Sequence, residues 1–269
     1  MKTIYFFDID NTIYSHKKKI IMPQTIKLIK QLSENKENII CIATGRSANK
    51  LDILNPIIDN IDYFVFLNGA VSAKRNKETK TFEVISKNVI NKNVVKDIVL
   101  DAVSKDISCG VVSFTEEVFE LASEDAMNDW QSFQNFRPKV EKNYHEKHDI
   151  FQIWLWNLNR DEIKEFMQPH SNNVDYFYWH HKGCDLINKG LDKSTGIKSI
   201  LNVLDQNHEY KLICVGDGHN DRQMIMNADI GIVMANSSDE KLKKEAKLLA
   251  PLIDDDLLYD FYYENGLIN

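Results

Sequence analysis

An apolar run at residues 4–7 ends abruptly in two carboxylates, Asp8 and Asp10. A stretch of Ile, Tyr and Phe without polar alternation predicts a strand that is buried on both faces. Two acids at its end bring like charges together beside a low-dielectric core, which pushes their pKa values apart unless a cation sits between them. The alternative is a solvated turn, because Asp, Asn and Thr are common turn residues. This segment alone leaves both interpretations open.

Four further apolar runs end in polar or glycine residues in the same way. They occupy residues 39–43, 63–67, 212–215 and 230–234. Stretches with helical periodicity lie among these runs, at residues 23–34, 48–58, 193–204 and 238–249. Alternating strands and helices predict an α/β fold, in which a Rossmann-like parallel sheet carries helices on both faces. Because ligands bind outside the carboxyl ends of such strands, we expect the polar ends to meet at one rim.

The middle of the chain follows another pattern. Between residues 79 and 187, strand-like and helix-like runs alternate without the acidic or glycine ends of the other strands. The run at residues 81–85 is the first predicted strand of this stretch, and all four tryptophans fall within it. We interpret residues 79–187 as an inserted α+β domain, with residues 1–78 and 188–269 forming the two parts of the core domain. Its aromatic residues are interpreted as domain core rather than as a stacking site for a ring, because aromatic residues favour strands.

The composition narrows the classes of function. Of the 269 residues, 43% are hydrophobic and 27% are charged, and the net charge of −7 argues against a nucleic-acid surface. No apolar stretch approaches the roughly 20 residues that span a bilayer, and no cleavable signal peptide fits the first residues. Four scattered cysteines without a C-x-x-C pair argue against disulfides and zinc. We therefore expect a cytoplasmic protein without membrane or nucleic-acid partners, as a monomer or small homo-oligomer.

The first two polar strand ends suit phosphoryl chemistry. A carboxylate such as Asp8 can attack phosphorus, and Asp10 can act as a general acid and base. Thr44 and Gly45 follow a predicted strand and precede a helix-like stretch. A hydroxyl group and an exposed backbone N–H at that position can bind an anion, although a simple turn and helix cap would have the same sequence.

The late strand end suits a hard cation. Asp217 and Asp221 lie four residues apart in a glycine-containing turn, and Mg²⁺ is commonly bound by a few carboxylates. Helix capping is the alternative for these acids. Lys193 opens a helical stretch, where a cation is unfavourable unless a negative group lies nearby. Lys189 is a competing candidate for the same role.

These motifs stand in one order along the chain: Asp8-Ile9-Asp10-Asn11-Thr12, Thr44-Gly45-Arg46, Lys193, and Gly216-Asp217-Gly218-His219-Asn220-Asp221. With a large insertion before Lys193, this order resembles the haloacid dehalogenase (HAD) superfamily, specifically its Cof-type phosphatases with a C2 (C2B-like) cap. The resemblance extends over essentially the whole chain. Asn68-Gly69-Ala70 and the stretch at residues 231–237 resemble two further segments of that family.

The resemblance implies a HAD core with an inserted cap that closes over the site. It also implies four groups of site residues: catalytic Asp8 and Asp10; phosphate-binding Thr44, Gly45, Lys193 and Asn220; substrate-binding Arg46 and Asn68; and metal-binding Asp8, Asp10, Asp217 and Asp221, with Asp10 contributing its backbone carbonyl. The implied cofactor is Mg²⁺.

Three positions depart from the family's pattern. Asn11 stands where D-x-D-G-T has glycine, at a position that can need a positive φ, and Asn is the best non-glycine residue there. Ser194 follows Lys193 where glycine is common. Residues 234–237 are Met-Ala-Asn-Ser in place of M-G-N-A, which touches the rim but not the chemistry.

The residues and the resemblance together predict a Mg²⁺-dependent phosphatase. It would hydrolyse a small phosphorylated metabolite, such as a sugar phosphate, through an aspartyl-phosphate intermediate. A phosphotransferase or phosphomutase would share the same core residues, because only the acceptor differs. A catalytically idle sensor of a phosphorylated metabolite is the alternative from another class, but such a protein would be expected to lose one of the catalytic or metal-binding residues, all of which are present here.

Overall fold

The computed structural model of the chain describes residues 2–134, 137–204 and 209–268. These residues divide into two compact units. The first unit comprises the described residues up to Arg46, the segment Lys50–Lys87, and the described residues from Asp192 onward. The second unit comprises Ser47–Asn49 and Asn88–Leu191.

The first part of the chain supplies one side of a large sheet. Its elements are β1 (Lys2–Phe7), β2 (Tyr14–Ser15), β3 (Ile20–Ile21), α1 (Pro23–Glu34), β4 (Asn38–Ala43), β5 (Tyr63–Phe66), β6 (Val71–Asn76) and β7 (Thr81–Lys87). The predicted helix over residues 48–58 is wrong, because this stretch forms short 3-10 turns at Ala48–Lys50, Asp52–Leu54 and Ile58–Asn60. Its Asn and Asp residues favour turns, and Pro56 has no backbone N–H to donate within a helix.

The second unit is built on a six-stranded sheet. Its elements are α2 (Lys92–Ser104), β8 (Ser108–Val112), β9 (Glu117–Leu121), α3 (Glu124–Gln134), β10 (Lys139–Val140), α4 (Tyr144–Lys147), β11 (Gln152–Trp156), α5 (Arg160–Met167), β12 (Val174–His180) and β13 (Gly183–Asn188). The strand order is β10-β9-β8-β11-β13-β12, and every pair is antiparallel except β10 with β9. The sequence patterns missed β13, which lies inside this sheet between β11 and β12.

Buried aromatic side chains pack together in this unit. Trp130 stacks on Trp154 with ring centroids 4.2 Å apart, and Trp156 stacks on Trp179 at 5.3 Å. A Cβ on Gly110 would lie 2.5 Å from the Trp154 ring, so that glycine leaves room for the indole. Burial of Trp130, Trp154 and Trp156 supports their interpretation as domain core.

The last part of the chain completes the large sheet. Its elements are α6 (Lys193–Leu204), β14 (Tyr210–Gly216), α7 (Arg222–Met226), β15 (Ile230–Met234), α8 (Glu240–Glu245), β16 (Leu248–Ala250) and α9 (Leu258–Glu264). The predicted helix over residues 238–249 is wrong at its end, because only Glu240–Glu245 is helical. Residues 248–250 instead pair in parallel with β15, so sheet pairing overrides the local helical periodicity.

The large sheet has eight strands in the order β16-β15-β14-β1-β4-β5-β6-β7. Strands β16 to β5 run parallel, whereas β6 and β7 are antiparallel additions. The predicted α/β class with a parallel core sheet is therefore confirmed. The prediction that residues 81–85 belong to the inserted domain is wrong, because Thr81–Lys87 forms a hairpin with β6 and extends the large sheet.

Helices cover both faces of the large sheet. On one face, α6 packs against β5 and β6, and its Ile197 and Ile200 belong to an apolar cluster that also contains Ile4 and Phe6 of β1. On the other face, Tyr262 of α9 packs against the rings of Tyr5 and Phe7 on β1. Within the described part of the chain, no helix is both long enough and apolar enough to cross a bilayer.

Gly196 allows α6 to approach the sheet closely. A Cβ there would lie 2.4 Å from Cγ1 of Val65, and Ser72 Oγ donates a hydrogen bond to the Gly196 carbonyl at 2.9 Å. We expect Gly196→Ala to lower the free energy of unfolding by about 1–3 kcal/mol, because the helix must move away from the sheet. Lys198→Ala, at an exposed position of the same helix, should change it by less than about 0.5 kcal/mol. Equal urea midpoints for the two variants would contradict this account of the contact.

Candidate active site

The predicted nucleophile lies where the central strand of the large sheet ends. β1 lies between β14 and β4, and the backbone N–H of Asp8 continues the ladder by donating to Val215 O at 2.9 Å. The side chain of Asp8 is buried, with 5% of the residue exposed. Its Oδ2 accepts a hydrogen bond from Thr12 Oγ1 at 3.0 Å. Parallel pairing therefore places this carboxylate at the carboxyl-end rim.

Lys193 bridges two buried carboxylates. Its Nζ lies 2.5 Å from Asp8 Oδ1 and 2.5 Å from Asp221 Oδ1, and its side chain is fully buried. Burial alone would lower the pKa of Lys193, but the two carboxylates outweigh this effect and raise the pKa above its usual value. The negative group expected beside this helix N-terminus is thus a pair of aspartates.

The competing lysine has a different environment. Lys189 belongs to the second unit, where its Nζ pairs with Asp175 Oδ1 at 2.6 Å. Its side chain is about half exposed, at 54%. The geometry therefore favours Lys193, rather than Lys189, as the cation beside the carboxylates at the rim.

The turn after β14 brings a third carboxylate to Asp8 and Asp221. Asp221 Oδ2 accepts the backbone N–H groups of Asp217 at 3.0 Å and Gly218 at 2.8 Å, which fixes the turn. One carboxylate oxygen from each of Asp8, Asp217 and Asp221 lies within 4.8 Å of the others. Three convergent carboxylates form the oxygen-rich donor set that suits Mg²⁺.

The charges in this cluster are not balanced by Lys193. Burial, reinforced by the charge of Asp221, raises the pKa of Asp8 to about 7 although Lys193 opposes the shift. Burial, reinforced by Asp8 and Asp221, raises the pKa of Asp217 to about 8. Three carboxylates around one ammonium group leave excess negative charge in a poorly solvated place. A bound divalent cation would relieve it.

Asp10 has different partners from Asp8. Arg46 Nε donates to Asp10 Oδ2 at 2.9 Å and Arg46 Nη2 donates to Oδ1 at 2.6 Å, while His16 Nε2 lies 2.8 Å from Oδ1. Burial acts to raise the pKa of Asp10, but the hydrogen bonds from His16 and Arg46 and the charge of Arg46 outweigh it. They hold the pKa well below its usual range. The two acids of the motif therefore have distinct electrostatic environments.

The remaining predicted residues form a second group of contacts. Thr44 is fully buried, and its Oγ1 accepts the backbone N–H of Arg46 at 3.1 Å. Asn68 N donates to Thr44 O at 3.0 Å, and Asn220 Nδ2 donates to Asn68 Oδ1 at 2.8 Å. A Cβ on Gly45 would lie 3.2 Å from Asn68 Nδ2, so the glycine leaves room for the Asn68 side chain. The loops after β4, β5 and β14 thus meet here.

Asn11 adopts the conformation expected from its place in the motif. Its φ is 57°, in the left-handed region where Asn is better tolerated than other non-glycine residues. Its carbonyl accepts a hydrogen bond from Asn236 Nδ2 at 2.9 Å, which ties the motif to the loop after β15.

Sequence reasoning missed three contacts at this rim. Thr12 lies in the motif at residues 8–12, and Asn236 matches the asparagine of the family's M-G-N-A segment, but neither pattern indicates a partner for these side chains. His16 lies in no motif. The spacing from Asp8 could have indicated Thr12. No local pattern indicates that His16 reaches Asp10.

A family model described as haloacid dehalogenase-like hydrolase matches residues 5–261 of this sequence. The chain belongs to that family. The predicted membership of the HAD superfamily is therefore confirmed, and so is the predicted enzyme class, a hydrolase of phosphoric monoesters, which the relatives below also support.

Three relatives of this HAD hydrolase illustrate its kinship. YkrA of Bacillus subtilis, whose name assigns it provisionally to the phosphatases, is 28% identical over 98% of both chains. The solved structure of a HAD subclass IIB sugar phosphatase is 26% identical, with a TM-score of 0.84 over 99% of this chain and all of the other. A structure from a study of a trigonal-bipyramidal intermediate in a phosphoryl-transfer superfamily is also 26% identical, with a TM-score of 0.85 over the whole of both chains.

The bridging lysine yields a prediction about stability. We expect Lys193→Met to lower the free energy of unfolding in EDTA by about 3 kcal/mol, because it leaves two buried carboxylates without their counter-ion. Lys189→Met, which removes a half-exposed ion pair, should cost less than about 1 kcal/mol. Denaturant unfolding of both variants at pH 7 provides the comparison. A Lys193 variant no less stable than the Lys189 variant would show that the bridge does not hold the site together.

Proposed function

We propose that this protein is a Mg²⁺-dependent phosphatase that hydrolyses small phosphorylated metabolites, with Asp8 as nucleophile. The observation that carries the proposal is the setting of Asp8. Its Oδ1 is held by Lys193 Nζ and its Oδ2 by the Thr12 hydroxyl, so the carboxylate has a fixed orientation at the strand end. The sugar phosphatase among its structural relatives supports sugar phosphates as a substrate class.

The first chemical step transfers the phosphoryl group to Asp8. A carboxylate oxygen of Asp8 forms a bond to phosphorus while the bond from phosphorus to the substrate's ester oxygen breaks. Asp10 donates a proton to that departing oxygen, so the leaving group departs as an alcohol. This step requires the protonated form of Asp10, which the negative charge of the bound phosphate favours directly and by drawing the Arg46 guanidinium away from Asp10. Having lost its proton, Asp10 is then a negatively charged carboxylate.

The second step hydrolyses the aspartyl-phosphate. Asp10, now a carboxylate, accepts a proton from a water molecule whose oxygen attacks phosphorus. The bond between phosphorus and the Asp8 oxygen breaks, which releases inorganic phosphate and restores Asp8. The contacts of Asp10 with Arg46 and His16 suit its role as the base in this step, because both partners favour the ionised form of Asp10.

Charge stabilisation comes from groups around the phosphoryl oxygens. Lys193 supplies a buried cation, Thr44 a hydroxyl group, and Asn220 an amide. Such groups stabilise the transition state of phosphoryl transfer when they are already oriented before reaction. Asp8, Asp217, Asp221 and the backbone carbonyl of Asp10 would hold Mg²⁺, which would supply further positive charge to the site.

The nucleophile assignment has a direct test. Asp8→Asn should lower the rate of phosphate release from 4-nitrophenyl phosphate by roughly a thousandfold or more, because an amide cannot form the phosphorylated intermediate. Asp52→Asn, at an exposed position of the same unit, should keep the wild-type rate. Substantial activity of the Asp8 variant above a vector-only preparation would remove Asp8 from this role.

The metal assignment is tested by stability as well as by activity. Mg²⁺ at about 100 times its dissociation constant should stabilise the wild-type fold by roughly 2.7 kcal/mol, because only the folded chain assembles the three carboxylates. EDTA should abolish phosphate release, and added Mg²⁺ should restore it. Asp217→Asn should need a higher Mg²⁺ concentration for both effects, whereas Asp52→Asn should match the wild type. Activity and melting curves that do not change with Mg²⁺ would contradict the assignment.

A further inference from the structure

Both oxygens of the Asp10 carboxylate lie within hydrogen-bond distance of a side-chain nitrogen. Arg46 occupies both oxygens through its Nε and Nη2 atoms, and His16 Nε2 lies 2.8 Å from Oδ1. Since an ionised carboxylate only accepts hydrogen bonds, His16 Nε2 is the donor in this contact. His16 therefore belongs to the setting of Asp10, although it lies six residues away in the chain.

The backbone carries His16 to this place by a tight turn and a small hairpin. The carbonyl of Ile9 accepts the N–H groups of Ile13 at 3.0 Å and Tyr14 at 2.8 Å, which turns the chain sharply after Asp10. β2 then pairs with β3, and His16 is the residue that follows β2. The His16 ring stands edge-on to the Tyr14 ring with centroids 5.4 Å apart.

The hairpin is attached to the rest of the unit directly beside His16. Ser15 Oγ donates to Asp254 Oδ1 at 2.6 Å and accepts the backbone N–H of Lys18 at 3.0 Å. Lys18 Nζ donates to Asp254 O at 2.5 Å. These bonds fix the root of the hairpin, so His16 is positioned although 54% of its side chain is exposed.

The hydrogen bonds from Arg46 to Asp10 are open to competition from a bound substrate. A guanidinium group at the rim attracts the anionic substrate, and an arriving phosphate or hydroxyl competes for the same N–H groups. His16 lies on the β2–β3 hairpin, whereas Arg46 lies in the loop after β4. Because His16 and Arg46 lie on different segments, the hydrogen bond from His16 to Asp10 does not depend on the Arg46 side chain.

We propose that His16 is a positioning residue of the phosphatase reaction, holding the Asp10 carboxyl group in the orientation from which it serves the leaving oxygen. The proposal rests on the proposed function and names a residue outside the groups assigned above. Proton transfer requires Asp10 to lie within hydrogen-bond reach of the reacting oxygen. Loss of His16 should thus harm the steps that depend on Asp10 and leave substrate binding intact.

The leaving group distinguishes this role from a merely structural one. A nitrophenolate is a stable anion and departs with little help from an acid, whereas phenolate and alkoxides depend more on protonation. Phenyl phosphate and 4-nitrophenyl phosphate differ little in shape. A loss of acid assistance therefore lowers the rate with phenyl phosphate more than the rate with the nitrophenyl ester.

The experiment compares kcat and KM for both esters in the wild type, His16→Ala, His16→Gln and Lys17→Ala. We expect His16→Ala to lose about 10- to 100-fold in kcat with phenyl phosphate and about threefold or less with 4-nitrophenyl phosphate, at unchanged KM. His16→Gln should recover most of this loss, because its amide can donate to Asp10 Oδ1. Lys17→Ala, whose side chain is 82% exposed, should behave as the wild type.

The outcomes separate this proposal from the proposed function. A wild-type protein that hydrolyses neither ester overturns both. A wild-type protein that hydrolyses both esters, with a His16→Ala variant that shows the same ratio of rates between them, overturns only the role of His16. Equal losses in His16→Ala and His16→Gln with both esters would assign His16 a purely structural part, which also overturns it.

Discussion

Lys193 makes the rest of the site possible by placing one buried positive charge between Asp8 and Asp221. Without it, two carboxylates would be buried side by side at the end of a strand whose apolar residues exclude water. This charge belongs to a fully buried lysine at the first residue of α6. The lysine does not neutralise the whole cluster, because Asp217 adds a third carboxylate. The remaining negative charge suits the site to a divalent cation, and such a cation would offset the repulsion between the carboxylates and a phosphate.

The topology explains why residues so far apart in sequence converge. β1, β4, β5 and β14 run parallel next to one another, so the loops that follow them lie on one edge of the sheet. Each loop contributes a different function to that edge: two acids after β1, a hydroxyl and a guanidinium after β4, an asparagine after β5, and the acidic turn after β14. Gly196 lets α6 lie close against the sheet, and Lys193 is the first residue of that helix.

Sequence patterns identified the features that depend on local burial and charge. The apolar runs that end in acids predicted the parallel strands, a cation at a helix start indicated Lys193, and the motif indicated the left-handed backbone of Asn11. Features that depend on distant neighbours were missed or wrong. β16 and β7 are strands of the large sheet because adjacent strands pair with them, and the joint hold of Arg46 and His16 on Asp10 brings three separate segments together. No local periodicity contains that information.

In the proposed mechanism Asp8 forms a bond to phosphorus, and chemical trapping of that bond would identify the nucleophile. The wild-type protein is quenched in acid during turnover of 4-nitrophenyl phosphate, reduced with borohydride and digested. Because borohydride reduces an acyl phosphate to an alcohol, mass spectrometry should find homoserine in place of Asp8 in the peptide that contains residues 4–12. Reduction at another carboxylate, or an unchanged Asp8 in protein that was releasing phosphate when quenched, would contradict the account.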